Sequence, residues 1–501
     1  MSGSETAPPT PVGALPDPAE AENVVYDPPM DRLREFSRDL ETTTEFGSPS
    51  YVSEFRSRCA DRTENDVDDG FDAADRALVD SAVAYAREHE MVCLDLRMGR
   101  HPEHSYCCRY YVPREYGRIA LALAKLFEPM DEDVDPDFLT VQVPDWEETA
   151  VRVLPEEGIT AVLGTDYTGE AKKSFLRLFM YRAKQRGGLG LHAGSKRVDV
   201  RTASDEVEPV GQLFLGLSAT GKSTLTAHGL GLEEPEQATM LQDDVVALLP
   251  DGTVAGSEGR GLYVKTIGLD PAEQPAVYDA VTHESAVLEN VAVAGDGSVD
   301  FDSDEHTTNG RAAVLREQLS SAGDDVDLGR VDQVFFITRN PAMPPVARLT
   351  AAEAAAAFML GESIQTSAGD PSRAGESIRV VGTNPFIVGS EGEEGNRFRD
   401  LVASLDVDCF VLNTGCVGSR DIGVEESVTL LREIARGTVE WTEDEAGLTV
   451  PEHVPGMDVG AFAVADNVDD HERTLRELRA ERRRYLSRFE DLDDAIVDAV
   501  Y

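Results

Sequence analysis

Residues Gly216, Leu217, Ser218, Ala219, Thr220, Gly221, Lys222 and Ser223 form the part of this sequence most able to do chemistry. Together they satisfy the spacing GxxxxGK[ST], directly after the apolar run 212–215 and ahead of a credible helix start at 224–229, opened by Thr224. A strand, a glycine-rich turn and a helix in that order give the pattern weight, because the turn then lies at the positive end of the helix. Gly216 and Gly221 permit a backbone that aims successive N–H groups at phosphate oxygens. Lys222 would reach the β- and γ-phosphates, and the Ser223 hydroxyl would hold Mg²⁺. The tandem acids Asp243 and Asp244 follow about twenty residues later, where an acid at a strand end commonly holds the metal or its water. The chemistry indicated is nucleoside triphosphate binding.

Around this loop the chain must supply strands and helices. Helical spacing is found at 73–89, 116–127, 172–185, 351–359 and 424–435, and apolar strand candidates at 91–96, 138–143, 189–192, 331–338 and 409–412. Gly187-Gly188 is a plausible helix stop. The pattern predicts a mixed α/β protein of two lobes. Residues 1–30 read as a disordered acidic, proline-rich tail and 31–187 as an N-terminal substrate lobe. Residues 188–440 read as the phosphate-loop lobe, and 441–501 as an acidic extension with a charged helix at 473–489. The acidic run 296–305 reads as a solvated hairpin or loop.

Composition limits the partners. Acidic residues number 94 against 46 basic, a net charge of -48. Such a surface repels nucleic acid and anionic lipid, and it suits a halophile's solvated exterior. Only seven of the basic residues are lysines: Lys125, Lys172, Lys173, Lys184, Lys196, Lys222 and Lys265. No apolar run approaches the roughly 20 residues of a membrane span, and the N-terminus carries no secretory pattern, so a cytoplasmic protein is expected. A monomer acting on small molecules, not on nucleic acid or membrane, is the separate expectation for its partners. The six cysteines form no CxxC pair and read as reduced structural thiols.

The loop wording GLSATGKST resembles the ATP-dependent phosphoenolpyruvate carboxykinase family. Further segments resemble it in the same order: GTDYTGEAKK at 164–173, LHAGS at 191–195, QDD at 242–244, GRGLYVKTI at 259–267, VLENV at 287–291, TNGR at 308–311, PPVARLT at 344–350 and NTG at 413–415. The similarity runs from about residue 90 to 435. It implies a two-lobed fold of the carboxykinase type, with ATP, Mg²⁺ and Mn²⁺ as cofactors. The implied reaction is oxaloacetate plus ATP giving phosphoenolpyruvate, CO₂ and ADP, as in gluconeogenesis.

Carried over by position, Lys173 as a neutral amine, His192 as a neutral imidazole and Asp244 would coordinate Mn²⁺, while Ser223 would hold the Mg²⁺ of ATP. Such an N,N,O set suits Mn²⁺. Four of the seven lysines, Lys172, Lys173, Lys222 and Lys265, fall in these segments, and a lysine can give up a proton to a metal where arginine cannot. The resemblance also places Tyr167 beside the three-carbon substrate and Lys172, Lys222 and Arg311 around the transferred phosphoryl, with Asp243 and Glu258 on the nucleotide. Loss of CO₂ leaves an enolate, which Mn²⁺ would stabilise as a Lewis acid before phosphoryl transfer.

Three departures stand out. The family's GRSPKDK-like segment, with its carboxylate-gripping arginine, has no clear copy, leaving Arg56, Arg58 and Arg62 as candidates. A threonine-rich stretch is replaced by ESIRVVGT at 376–383, and the arginine usually near the adenine is Asp421, with Arg420 one place earlier. Two other readings stay open: a kinase of the same fold acting on another hydroxyl or on a protein, as HPr kinases do, and an ATP-binding regulatory protein without turnover.

Overall fold

The structure is a computed structural model that describes residues 15–55, 59–130, 134–201, 206–217, 220–272, 274–364 and 377–501. Two compact units emerge, each discontinuous in sequence: Met1–Tyr181 with Ser257–Ser320, and Arg182–Gly256 with Ser321–Tyr501.

In the first unit an eight-stranded sheet is organised around the antiparallel hairpin of Met91–His101 and His104–Pro113. Phe138–Val143 lies parallel to the hairpin's second strand and to Ile159–Leu163, against which Ala150–Leu154 runs antiparallel. Helix Ala73–Glu88 covers this sheet because Val79, Ala82, Val83 and Ala86 recur at helical spacing and are buried. Its start is fixed by a capping box in which Asp72 accepts from Ala74 and Asp75, and Asp75 accepts from the Asp72 N–H.

A second, five-stranded sheet of this unit follows the order Gly261–Lys265, Arg311–Leu315, Val287–Glu289, Pro49–Tyr51, Thr42–Thr43. These pairings explain why 257–320 packs with the N-terminal part of the chain. A linear reading keeps that segment beside the phosphate loop, because strand pairing across more than two hundred residues leaves no local trace. Helix Thr168–Gln185 begins in this unit.

In the second unit eight strands lie in the order Gln237–Gln242, Ala193–Arg201, Val207–Gly216, Gln333–Thr338, Asp408–Asn413, Val346–Leu349, Thr449–His453, Glu440–Glu443. Val207–Gly216, Gln333–Thr338 and Asp408–Asn413 run parallel and are buried on both faces over their shared register, which accounts for their near-continuous apolar sequence. Alternation divides their side chains between two cores. Phe214, Phe335, Ile337, Phe410 and Leu412 face one side with Val428, Leu431 and Ile434 of helix Val424–Arg436. Leu213, Leu215, Val334, Phe336 and Val411 face the other, with helices Ala351–Leu360 and Glu391–Leu405.

Two expectations about the ends change. Of the tail expected to be disordered, residues 1–14 lie outside the described residues, but Val24–Tyr26 is a strand parallel to Met91–His101. Its Tyr26 hydroxyl donates to Asp95 Oδ2 at 2.8 Å, a long-range anchor that composition does not reveal. The acidic extension contributes more than a helix: Glu440–Glu443 and Thr449–His453 form a hairpin that extends the sheet, ahead of helix His471–Leu486. Around the run 296–305, Ala292–Val293 and Val299–Asp300 pair as a short hairpin.

Candidate active site

The phosphate-binding loop leaves the carboxyl end of Val207–Gly216, the edge at which ligands bind in open parallel sheets. Gly216 sits opposite Ile337, and a Cβ there would come within 2.6 Å of the Thr220 hydroxyl and 3.1 Å of Ile337 Cβ. The Thr220 hydroxyl donates to Leu217 O at 2.8 Å, closing the turn, and Gly221 takes φ +93°, a conformation that favours glycine. Helix Lys222–Ala227 starts immediately. From the neighbouring strand end, the Thr414 hydroxyl donates to Thr220 O at 2.7 Å, so NTG steadies the loop. Ser218 and Ala219 lie outside the described residues.

Beside the loop, Ser223 meets the acids that follow Gln237–Gln242. Ser223 is exposed, and its Oγ donates to Asp243 Oδ2 at 3.0 Å. Thr224 follows in the first turn of the loop helix. Lys196, buried on Ala193–Arg201, donates from Nζ to Leu225 O at 2.5 Å and His228 O at 2.6 Å, tying down the far end of that helix. Burial pushes the Lys196 amine down to about 7.

His192 Nε2 lies 3.0 Å from Asp244 Oδ1, and His192 Nδ1 lies 2.6 Å from the carbonyl of Thr383. A carbonyl only accepts, so Nδ1 carries a proton and Nε2 faces the Asp244 carboxylate. A proton on Nε2 makes this contact an ion pair, and a divalent cation shared by Nε2 and Oδ1 would take that proton's place; an imidazole oriented by a carbonyl is the usual form of a metal-ligating histidine. The donor set therefore fits a divalent metal. Among the described residues no three His, Cys, Asp or Glu side chains cluster, so further ligands would have to be of another kind.

In the first unit, Tyr167, Lys172 and Lys173 sit at the start of helix Thr168–Gln185, and Arg311 opens its strand. Arg311 Nε and Nη2 donate to Asn309 Oδ1 at 3.2 and 3.0 Å, while Asn309 Nδ2 donates to the Tyr167 hydroxyl at 2.8 Å. Lys172 Nζ is 3.1 Å from Glu258 Oε1 and 5.6 Å from the centre of the Tyr263 ring. Glu258, expected on the nucleotide, thus has its carboxylate on Lys172. Lys173 Nζ donates to buried Glu170 Oε1 at 2.7 Å. Burial raises the Glu170 carboxyl, but Lys173 and Arg177 outweigh it and hold the group below the usual carboxylate range.

Of the substrate-arginine candidates, Arg56 and Arg58 lie outside the described residues, and Arg62 is exposed beside Asp61 at 3.9 Å. Arg420 and Asp421 are exposed in a two-residue strand, with the Arg420 guanidinium 4.7 Å from the Phe462 ring centre. Glu376 lies outside the described residues. The sequence did not reveal Thr383, Asn309, Glu289 and Tyr263 as site neighbours. The last three occur in segments already recognised (TNGR, VLENV and GRGLYVKTI), which was the available signal.

Comparison with known proteins shows the family of the chain. Residues 65–459 match the family model described as phosphoenolpyruvate carboxykinase. The chain is 36% identical over 473 residues to "Phosphoenolpyruvate carboxykinase (ATP)" of Aeropyrum pernix, covering 93% of this chain and 94% of that one. The chain belongs to the ATP-dependent phosphoenolpyruvate carboxykinase family. Proteins of the same description from a Chelativorans species and from Mesorhizobium japonicum are 29% and 30% identical, over 76% and 62% of this chain and 73% and 57% of theirs. As a phosphoenolpyruvate carboxykinase of the ATP class, the chain is an enzyme that uses ATP, a divalent metal and small-molecule substrates. Membership decides against the readings as a protein kinase and as a regulator without turnover. None of the helices described is long and apolar enough to cross a membrane.

Proposed function

We propose a division of labour by which this carboxykinase converts oxaloacetate and ATP to phosphoenolpyruvate, CO₂ and ADP, in the gluconeogenic direction and in the cytoplasm. The backbone from Gly216 to Gly221 cradles the phosphates, and Lys222 neutralises charge on the β- and γ-groups. Ser223, with Asp243 beside it, holds Mg²⁺ of the nucleotide. His192 and Asp244 hold Mn²⁺, with Lys173 as the amine ligand carried over from the resemblance. When bound, that ion supplies Lewis-acid charge to an oxygen of the three-carbon substrate. Tyr167 borders that substrate. Arg311 and Lys172 meet the charge that spreads over the phosphoryl group during transfer.

The observation that carries this reading is the facing pair His192 Nε2 and Asp244 Oδ1, with Nδ1 oriented by Thr383 O. For Lys173 to serve as a ligand, its amine must leave Glu170 and lose a proton, which an arginine at that position could not do. Mn²⁺ binding followed by electron paramagnetic resonance tests the assignment without turnover. Lys173→Arg and Asp244→Asn should each weaken Mn²⁺ binding at least tenfold while nucleotide binding stays near normal. Unchanged Mn²⁺ affinity in both would remove the metal from these residues.

A further inference from the structure

Glu289 ends the strand Val287–Glu289, where its backbone lies opposite Arg311 on one side and Tyr51 on the other. It is buried, and its carboxylate is engaged at both oxygens. Oε1 accepts from Thr168 N at 2.9 Å, the Thr168 hydroxyl at 3.0 Å and Arg118 Nη1 at 3.1 Å. Oε2 accepts from the Tyr263 hydroxyl. Arg118 is itself anchored, donating from Nη2 to Asp166 Oδ2 at 2.6 Å and Asp166 O at 2.9 Å.

Two partners of Glu289, Thr168 and Tyr263, lead toward groups assigned to phosphoryl transfer. Thr168 is the first residue of the helix that carries Lys172 and Lys173, and a carboxylate there satisfies an N–H that the helix cannot and complements its positive end. The Tyr263 ring lies under two cations at once, 5.6 Å from Lys172 Nζ and 5.8 Å from Arg311 Cζ. Burial and the Glu289 charge push the Tyr263 hydroxyl well above the usual tyrosine range, so it remains a donor to Oε2.

We propose that Glu289 is a positioning residue for phosphoryl transfer, holding the start of the Lys172 helix and the Tyr263 ring so that Lys172 and Arg311 keep one fixed separation. Glu289 acts through these neighbours. The inference rests on the roles proposed above for Lys172 and Arg311. Substitution to glutamine acts on the link to Tyr263: the amide oxygen still serves Thr168 and Arg118, whereas the amide NH₂ cannot accept the Tyr263 proton and takes away its charged acceptor.

The test compares Glu289→Gln, Tyr263→Phe and the double variant, measuring kcat, KM and the dissociation constant of MgATP. Each single change should lower kcat roughly tenfold to a hundredfold, as small misplacements of charged groups do, while MgATP affinity stays within about twofold. The double variant should be no slower than the slower single, because both cut one link. A folded single variant with wild-type kcat, or losses that multiply in the double, would overturn the proposal. If Glu289→Gln does not fold, Tyr263→Phe decides alone: an about tenfold loss of kcat with MgATP affinity retained supports the link, and wild-type kcat rejects it. Lys172→Ala and Arg311→Ala separate the two levels of argument. Large losses there alongside unaffected Tyr263→Phe reject Glu289 only, whereas wild-type rates in Lys172→Ala and Arg311→Ala reject the underlying roles.

Discussion

The imidazole of His192 presents Nε2 to Asp244 Oδ1 at 3.0 Å while its other nitrogen is oriented by the carbonyl of Thr383. That relationship sets an imidazole nitrogen and a carboxylate oxygen toward one position, the place proposed above for the divalent cation.

A first prediction follows for stability. Mn²⁺ alone, without nucleotide or substrate, should raise the thermal midpoint, because a ligand at a hundred times its dissociation constant adds about 2.7 kcal/mol. Asp244→Asn should lose most of that rise. An equal rise in the variant would place the ion elsewhere.

The phosphate loop gives a second. Lys222→Ala removes a charge-assisted contact of about 1.5–3 kcal/mol, so MgATP affinity should fall about ten- to a hundredfold, and turnover should fall with it. Gly216→Val should also lose MgATP binding, since even a Cβ at 216 would meet the Thr220 hydroxyl at 2.6 Å. Calorimetric titration checks both, and normal affinity in either would contradict the cradle.

Lys196 gives a pH dependence with a definite sign. Burial lowers its amine from 10.5 to about 7 in the folded chain. Between those values the unfolded chain holds the extra proton, so this group's destabilising contribution is complete below 7 and relieved as pH rises toward 10.5. Wild-type stability measured against Lys196→Met should therefore climb with pH across that window, by up to about 1.4 kcal/mol per unit. A difference that stays flat would mean Lys196 titrates normally.

The acidic surface makes a fourth. With a net charge of -48, self-repulsion opposes the compact state at low salt. Raising KCl from about 0.1 to about 1 M shortens the screening length from about 10 to about 3 Å, and the thermal midpoint should rise. A midpoint independent of salt would argue against halophilic adaptation.

Much of the fold was legible because its signals are local. The helix read at 424–435 is Val424–Arg436, and the strand read at 138–143 is Phe138–Val143, since periodicity and apolar runs report burial directly. The phosphate loop was legible for the same reason. What stayed hidden depends on distant partners: Glu289 gains its place from Thr168 and Tyr263, and Val24–Tyr26 is a strand only because Met91–His101 lies beside it. Thr383 was read as part of a replaced stretch, and a backbone carbonyl leaves no mark in a sequence, so its contact with His192 could not be anticipated.

The most direct measurement is phosphoenolpyruvate and CO₂ formation by the purified chain in concentrated KCl with oxaloacetate, MgATP and Mn²⁺. ADP release should depend on oxaloacetate and match phosphoenolpyruvate one for one. ATP turnover equal with and without oxaloacetate, and no phosphoenolpyruvate, would contradict it.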